Sequence, residues 1–248
     1  AKKSGATFAK FQTWSVQRLK NGEWDSDGRR SIYESAELSK DDHITLIEYC
    51  REAGIEFMSS IFSISDAELL LSLGVKCVKI PSFECRNIEL LKYANSNFDS
   101  VYISFGTALY GEIKEALNIL NETQVYVMHC VSVYPGSYET ANLHRMLFMQ
   151  EELPKIYPNI KGIGFSDHID GINSAIAAIS LGASVIEKHF TIDKSLPGRD
   201  NKFAILPDNM KAISEYTAQF KKMMINHGLD YQNDEELTRE NYSGRFDG

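Results

Sequence analysis

The 248-residue sequence predicts an α/β fold of repeated parallel βα units, on three observations. Short apolar runs alternate with amphipathic stretches every ~20–30 residues, the spacing of βα repeats around a parallel sheet. Residues 161–200 read as strand, helix and strand, with Ile172, Ala175, Ile176 and Ile179 at helical spacing between two apolar runs; the right-handed crossover of such a unit lays its strands parallel. No GxGxxG follows the first strand, which lowers the case for a dinucleotide-binding doubly wound sheet. The predicted architecture is a (β/α)8 TIM barrel. Seven strands are legible and a closed barrel of this kind has eight, so the first strand is expected to be missing and the chain to begin mid-protein.

The elements follow in order. AKKSGA reads as a helix end with a glycine turn, 6–13 as a strand, and the stretch to about residue 39 as a polar loop. Ser39 or Asp41 caps a helix that stops at Gly54. Strands are expected at 55–62, 77–82, 100–106 and 123–132. Between them, Ser65 is expected to cap a helix ending at Gly74, 87–94 forms a second helix, and Ile113, Ala116, Leu117 and Leu120 mark the face of a third. A helix over 142–153 leads into the strand–helix–strand unit, and Met210, Ile213, Thr217, Phe220 and Met224 mark a last helix. The barrel domain is assigned to 1–228 and a polar tail to 229–248.

A formal net charge of −8 argues against a nucleic-acid or anionic-membrane surface. No run of 18 apolar residues and no signal peptide are legible, so a cytoplasmic enzyme fits. Cys50, Cys77, Cys85 and Cys130 form no CxxC pair and read as reduced core thiols.

Nearly every strand ends in polar side chains after an apolar body. In order they are Lys10 and Gln12, Ser60, Lys79 with Ser82 and Glu84, Ser104, Ser132 with Tyr134, Ser166 with His168, and Glu187 with His189. An unpartnered buried polar group costs about 1–3 kcal/mol, so convergence on one rim is the economical explanation. Lys10 and Lys79 fit an anion pocket, although a lone lysine in such a place often only extends its amine to water. His168 and His189, 21 residues apart on neighbouring strand ends, fit either a divalent metal or hydrogen-bonded structural histidines. Asp167 and Glu187 lie close in sequence as possible supporting carboxylates. Asp200, in the turn LPGRD, either reaches over the barrel mouth or is simply solvated. His129 reads as a hydrogen-bonded barrel residue and His144 as a helix-surface one.

With those residues in view, the chain resembles the sialic acid synthase family, which makes N-acetylneuraminate and related nonulosonates such as legionaminate and pseudaminate. The resemblance is carried in order by AKFQT (9–13), EYCREAGIEFMSSIF (48–62), VKIPSFE (78–84), SFGTA (104–108), HCVSVYP (129–135), GFSDHIDGI (164–172) and GASVIEKHFTIDKSLPGRD (182–200). It implies a (β/α)8 barrel that acts as a homodimer and condenses phosphoenolpyruvate with an N-acylated amino sugar such as N-acetylmannosamine. It implies that His168 and His189 hold a divalent metal, commonly Mn2+. Lys10, Ser60, Lys79, Ser82, Ser104 and Ser166 would hold phosphoenolpyruvate, while Gln12, Glu84, Tyr134 and Asp200 would contact the sugar. Lys79, Glu84 and Glu187 form the expected catalytic set, and Ser132 joins the substrate-binding set. The chain departs from the family in SSIF (59–62), SFGT (104–107) and Asn201, and in lacking the family's first strand and its antifreeze-like domain. The rival readings are another metal-dependent barrel aldolase or synthase, and a catalytically silent protein that retains the pocket.

Overall fold

A computed structural model describes residues 1–246. It holds one all-parallel sheet of seven strands in sequence order: β1 (Phe8–Thr13), β2 (Glu56–Ile61), β3 (Cys77–Ile80), β4 (Ser100–Phe105), β5 (Gln124–Cys130), β6 (Ile160–Asp167) and β7 (Ile186–Lys188). Helices α1 (Arg29–Ala36), α2 (Lys40–Ala53), α3 (Ile64–Ser72), α4 (Ile88–Asn97), α5 (Tyr110–Ile119), α6 (Leu143–Ile156) and α7 (Asn173–Ser180) lie between the strands, and α8 (Pro207–Met223) follows the last. The sheet curls strongly: Lys10 on β1 and Glu187 on β7, the two edge strands, approach to 3.7 Å. This is the arrangement of a TIM-like barrel with one strand absent from the ring.

Strand alternation sorts side chains into two layers. On β4, Val101, Ile103 and Phe105 face outward into the principal core, where they meet Leu90, Leu91, Ile113 and Leu117 from α4 and α5. Burying side chains of this size is worth about 1.5–3 kcal/mol each, so the outer layer holds the fold. The other set, Tyr102 and Ser104, points inside. Near the amino ends of the strands that interior is apolar, with Met58, Tyr102 and Met128 packed on Phe8, Cys77, Tyr126 and Val185. Gly164 lets β6 pass close here, since a Cβ on it would stand 2.4 Å from the Val185 carbonyl oxygen.

Local signals explain most boundaries. Ser39 caps α2 by accepting the Asp42 N–H at 3.1 Å, Asp42 accepts the Ser39 N–H in return at 2.8 Å, and Gly54 ends the helix in the left-handed region at φ 67°. The opening turn is a short helical turn, Lys2–Ser4, closed by Gly5 at φ 89°. Three expectations need correction. The stretch before residue 39 is not all loop, because it contains α1, an eight-residue helix that starts after Gly28 with no side-chain cap to mark it. The cap of α3 is Ser63, not Ser65; its hydroxyl accepts the Asp66 N–H at 3.3 Å. The tail carries a short helix, α9 (Glu236–Tyr242), exposed throughout; its last two residues, 247 and 248, lie outside the described residues. All four cysteines are free, and no described helix is long and apolar enough to cross a membrane.

Candidate functional site

Two residues beyond the apolar interior, the same strands turn polar. Lys10 Nζ donates to Ser60 Oγ at 3.2 Å, and Lys79 Nζ donates to Ser104 Oγ at 2.7 Å. Ser104 Oγ lies 2.8 Å from Ser166 Oγ. Glu187 reaches between the two lysines, 3.7 Å from Lys10 and 3.1 Å from Lys79. Register explains the convergence: Ser60 pairs with Gln12 and Lys79, and Ser166 pairs with Glu187.

These charges control one another. Burial pulls the Lys10 ammonium below the ordinary lysine range, opposed by the Glu187 carboxylate. Burial alone would raise Glu187, yet the Lys10 and Lys79 charges outweigh it and hold the carboxyl at about 2. The site is therefore a preformed set of cations temporarily satisfied by one internal carboxylate.

The histidines stand beside it. The His168 and His189 ring centroids are 5.4 Å apart, and Tyr134 packs on His168 at 4.3 Å. Burial, then the neighbouring His189, pushes His168 down to about 4. Burial, then the Lys10 charge, does the same to His189. Both rings are neutral at pH 7, the form in which imidazole binds a metal. Asp200 Oδ2 lies 3.8 Å from His189 Nδ1, and burial raises its pKa. No group of three or more His, Cys, Asp or Glu side chains stands ready to hold a cation among the described residues. His168 and His189 are the side chains here that could hold a divalent ion, as a pair of imidazoles.

Of the residues expected to bind substrate or metal or to act in catalysis, all but Ser132 line one cavity of about 880 Å3, whereas Asp167, offered as a supporting carboxylate, faces away from it. Ser132 is not a lining residue, and a Cβ on Gly106 would meet Ser132 Oγ at 2.1 Å and Ser82 Oγ at 2.7 Å, so glycine there lets both hydroxyls pack close. Ser82 Oγ also accepts the Gly106 N–H at 3.0 Å. Glu84 sits at the rim and accepts from Asn87 Nδ2 at 2.9 Å. His129 is buried, with Nε2 2.8 Å from the Ala141 carbonyl oxygen, and His144 is exposed on α6. Sequence reasoning missed a second wall, formed by Trp14, Arg18, Trp24 and Tyr33 of the long β1–α2 connection. Arg18 pairs with the buried Asp66 of α3 and fastens that connection over the mouth. A buried acid in a first helical turn was the one available sign, and its partner is 48 residues away.

Comparison with known proteins shows the family. The NeuB family model matches residues 1–228. An N,N'-diacetyllegionaminic acid synthase of Legionella pneumophila is 35% identical over 96% of this chain and 70% of its own length. A pseudaminic acid synthase of Helicobacter pylori is 33% identical over 88% of this chain and 66% of its own. Among solved structures, an N-acetylneuraminic acid synthetase from Leptospira borgpetersenii, in complex with citrate, superposes with a TM-score of 0.85 at 29% identity, covering 97% of this chain and 83% of that one.

Proposed function

The chain belongs to the NeuB family of nonulosonic acid synthases, and from that premise we propose that it condenses phosphoenolpyruvate with an N-acylated amino sugar, releasing phosphate. The observation that carries this reading is one cavity in which two ammonium groups, the buried Lys79 and the half-buried Lys10, lie side by side with two neutral imidazoles. An N-acetylmannosamine-like sugar in its open-chain aldehyde form is the proposed acceptor, and a complete (β/α)8 ring, assembled as a homodimer, the proposed architecture.

Lys10, Lys79, Ser60, Ser82, Ser104 and Ser166 hold the phosphate and carboxylate of phosphoenolpyruvate, because they offer point charges and hydroxyl donors within one layer. Gln12, Glu84, Tyr134 and Asp200, nearer the mouth, contact the sugar. His168 and His189 would hold the divalent ion, proposed as Mn2+, which when bound polarises the aldehyde as a Lewis acid. The enol carbon then attacks the aldehyde carbon, water adds to the cationic carbon left behind, and phosphate departs with its bridging oxygen. Holding the partners in near-attack geometry can be worth about 7–11 kcal/mol. Glu187 stabilises the developing positive charge and takes the proton of the adding water. An incoming phosphate competes with Glu187 for both ammonium groups, which raises the proton affinity of the carboxylate toward that of a useful base.

The test is phosphate release from phosphoenolpyruvate by the purified protein. Release that requires both Mn2+ and an N-acylated amino sugar is the expected result. Release without a sugar, or binding of both substrates with no turnover, contradicts the proposal, the latter favouring a pocket retained without catalysis.

A further inference from the structure

Asp167 and Lys188 form a buried ion pair on the outer side of the sheet, immediately behind the two histidines. They are register partners across β6 and β7, with Lys188 Nζ 3.0 Å from Asp167 Oδ2 and side chains 3% and 0% exposed. Alternation turns both toward α7 while the next residue on each strand, His168 and His189, turns into the cavity. Asp167 Oδ1 accepts the Ile169 N–H at 2.9 Å, and Oδ2 accepts the Ser174 hydroxyl at 2.6 Å. Lys188 Nζ also donates to the Ile169 carbonyl oxygen. The residue after His168 is thus gripped from both members of the pair, and the first turn of α7 is tied to the same carboxylate.

Stability does not explain this pair. Neighbouring outward positions on these strands, Phe165 and Ile186, are apolar, and a buried ion pair is commonly no better than apolar side chains of similar volume. Charges with hydrogen bonds supply direction, which aliphatic contacts lack. Direction matters here because β7 has only three residues and its pairing with β6 ends at Asp167 and Lys188. The pair is the last tie before the two chains carry their imidazoles over the cavity.

We propose that the Asp167–Lys188 pair is a positioning device that fixes the separation and tilt of the two imidazoles so that both point at one divalent cation. The inference rests on the reading of His168 and His189 as metal ligands. Neither Asp167 nor Lys188 lines the cavity.

The test measures Mn2+ affinity of the full chain by the electron paramagnetic resonance signal of free Mn2+, well below each variant's melting midpoint. His189→Ala serves as reference and should lose the site. Lys188→Met and Asp167→Asn should each weaken Mn2+ binding ~10–100-fold, the range for groups that orient a ligand without being one. Ser174→Ala, which removes a single bond to the carboxylate and leaves the pair in place, should weaken it severalfold; it carries the test if the charge variants do not fold. Lower melting midpoints with unchanged Mn2+ affinity would mean that the pair only supports the fold, and would overturn the inference while leaving the metal reading intact. Wild-type affinity in His189→Ala would remove the metal reading itself, and this inference with it.

Discussion

The interior of the curled sheet has two regions that differ by a two-residue step on the same strands. Toward the amino ends lie Met58, Tyr102, Met128 and Cys77; two positions on lie Ser60, Ser104, Cys130 and Lys79. Both sets share backbone geometry, and all but the half-buried Cys77 are buried, so exposure does not separate them. The difference is that the lower set satisfies itself by packing, whereas the upper set is satisfied only by members of its own ring. Lys10 and Lys79 share a single carboxylate, each donates to one serine hydroxyl, Ser60 or Ser104, and Ser166 bonds Ser104 in turn. A layer built that way is poised to exchange its internal partners for a ligand's, while the lower layer has nothing to exchange.

Substitutions in the two layers should therefore separate kinetics from stability. The largest effect is expected for Lys79→Ala, which strips Glu187 and Ser104 of a buried partner. It should lower kcat/KM for phosphoenolpyruvate ~10³-fold, about 4 kcal/mol, with a much smaller change in KM for the sugar; equal effects on both substrates would contradict the phosphate role. Met128→Ala, in the lower layer, should cost about 2–5 kcal/mol in denaturant unfolding and leave kinetic constants of the folded enzyme near wild type. A kinetic defect matching that of Lys79→Ala would erase the distinction between the layers.

The upper layer also predicts a pH signature in the metal-free protein. His168 and His189 are held at about 4, below the ordinary histidine value of 6.5. Between those limits the unfolded chain binds more protons than the folded one. Stability should be fully present above pH 6.5 and fall as pH drops toward 4, by on the order of 3 kcal/mol for each histidine. The His168→Ala/His189→Ala double variant should flatten that slope in urea titrations at a series of pH values; an unchanged slope would place its origin elsewhere. The smallest effect is expected for Ser104→Ala, at about 1–1.5 kcal/mol in KM for phosphoenolpyruvate, read by steady-state kinetics with stability unchanged.

The sequence made the strands and their polar ends legible for one physical reason. A strand buried on both faces reads as an apolar run, and serine, lysine or histidine at its end is conspicuous because burial of such groups is costly. Ser39 and Gly54 were legible because caps need particular side chains or a left-handed backbone. Helix α1 was not, since it is only eight residues long and begins after Gly28 with no capping side chain. Trp14 and Arg18 were not, because only the folded path of the β1–α2 connection brings them to the cavity. The Asp167–Lys188 pair was half visible: Asp167 stood out as a carboxylate near His168, but its facing away from the site follows only from the register of β6 and β7. Ser132 stands beside cavity-lining residues without lining the cavity itself, its hydroxyl 3.9 Å from Cys130 Sγ.

The most direct measurement is a crystal of the protein soaked with Mn2+ and phosphoenolpyruvate. Anomalous density for one Mn2+ within bonding distance of His168 and His189, with the phosphate against Lys10 and Lys79 in place of Glu187, is the predicted result. Metal bound away from the two imidazoles, or phosphoenolpyruvate seated where neither ammonium group reaches it, would contradict the account.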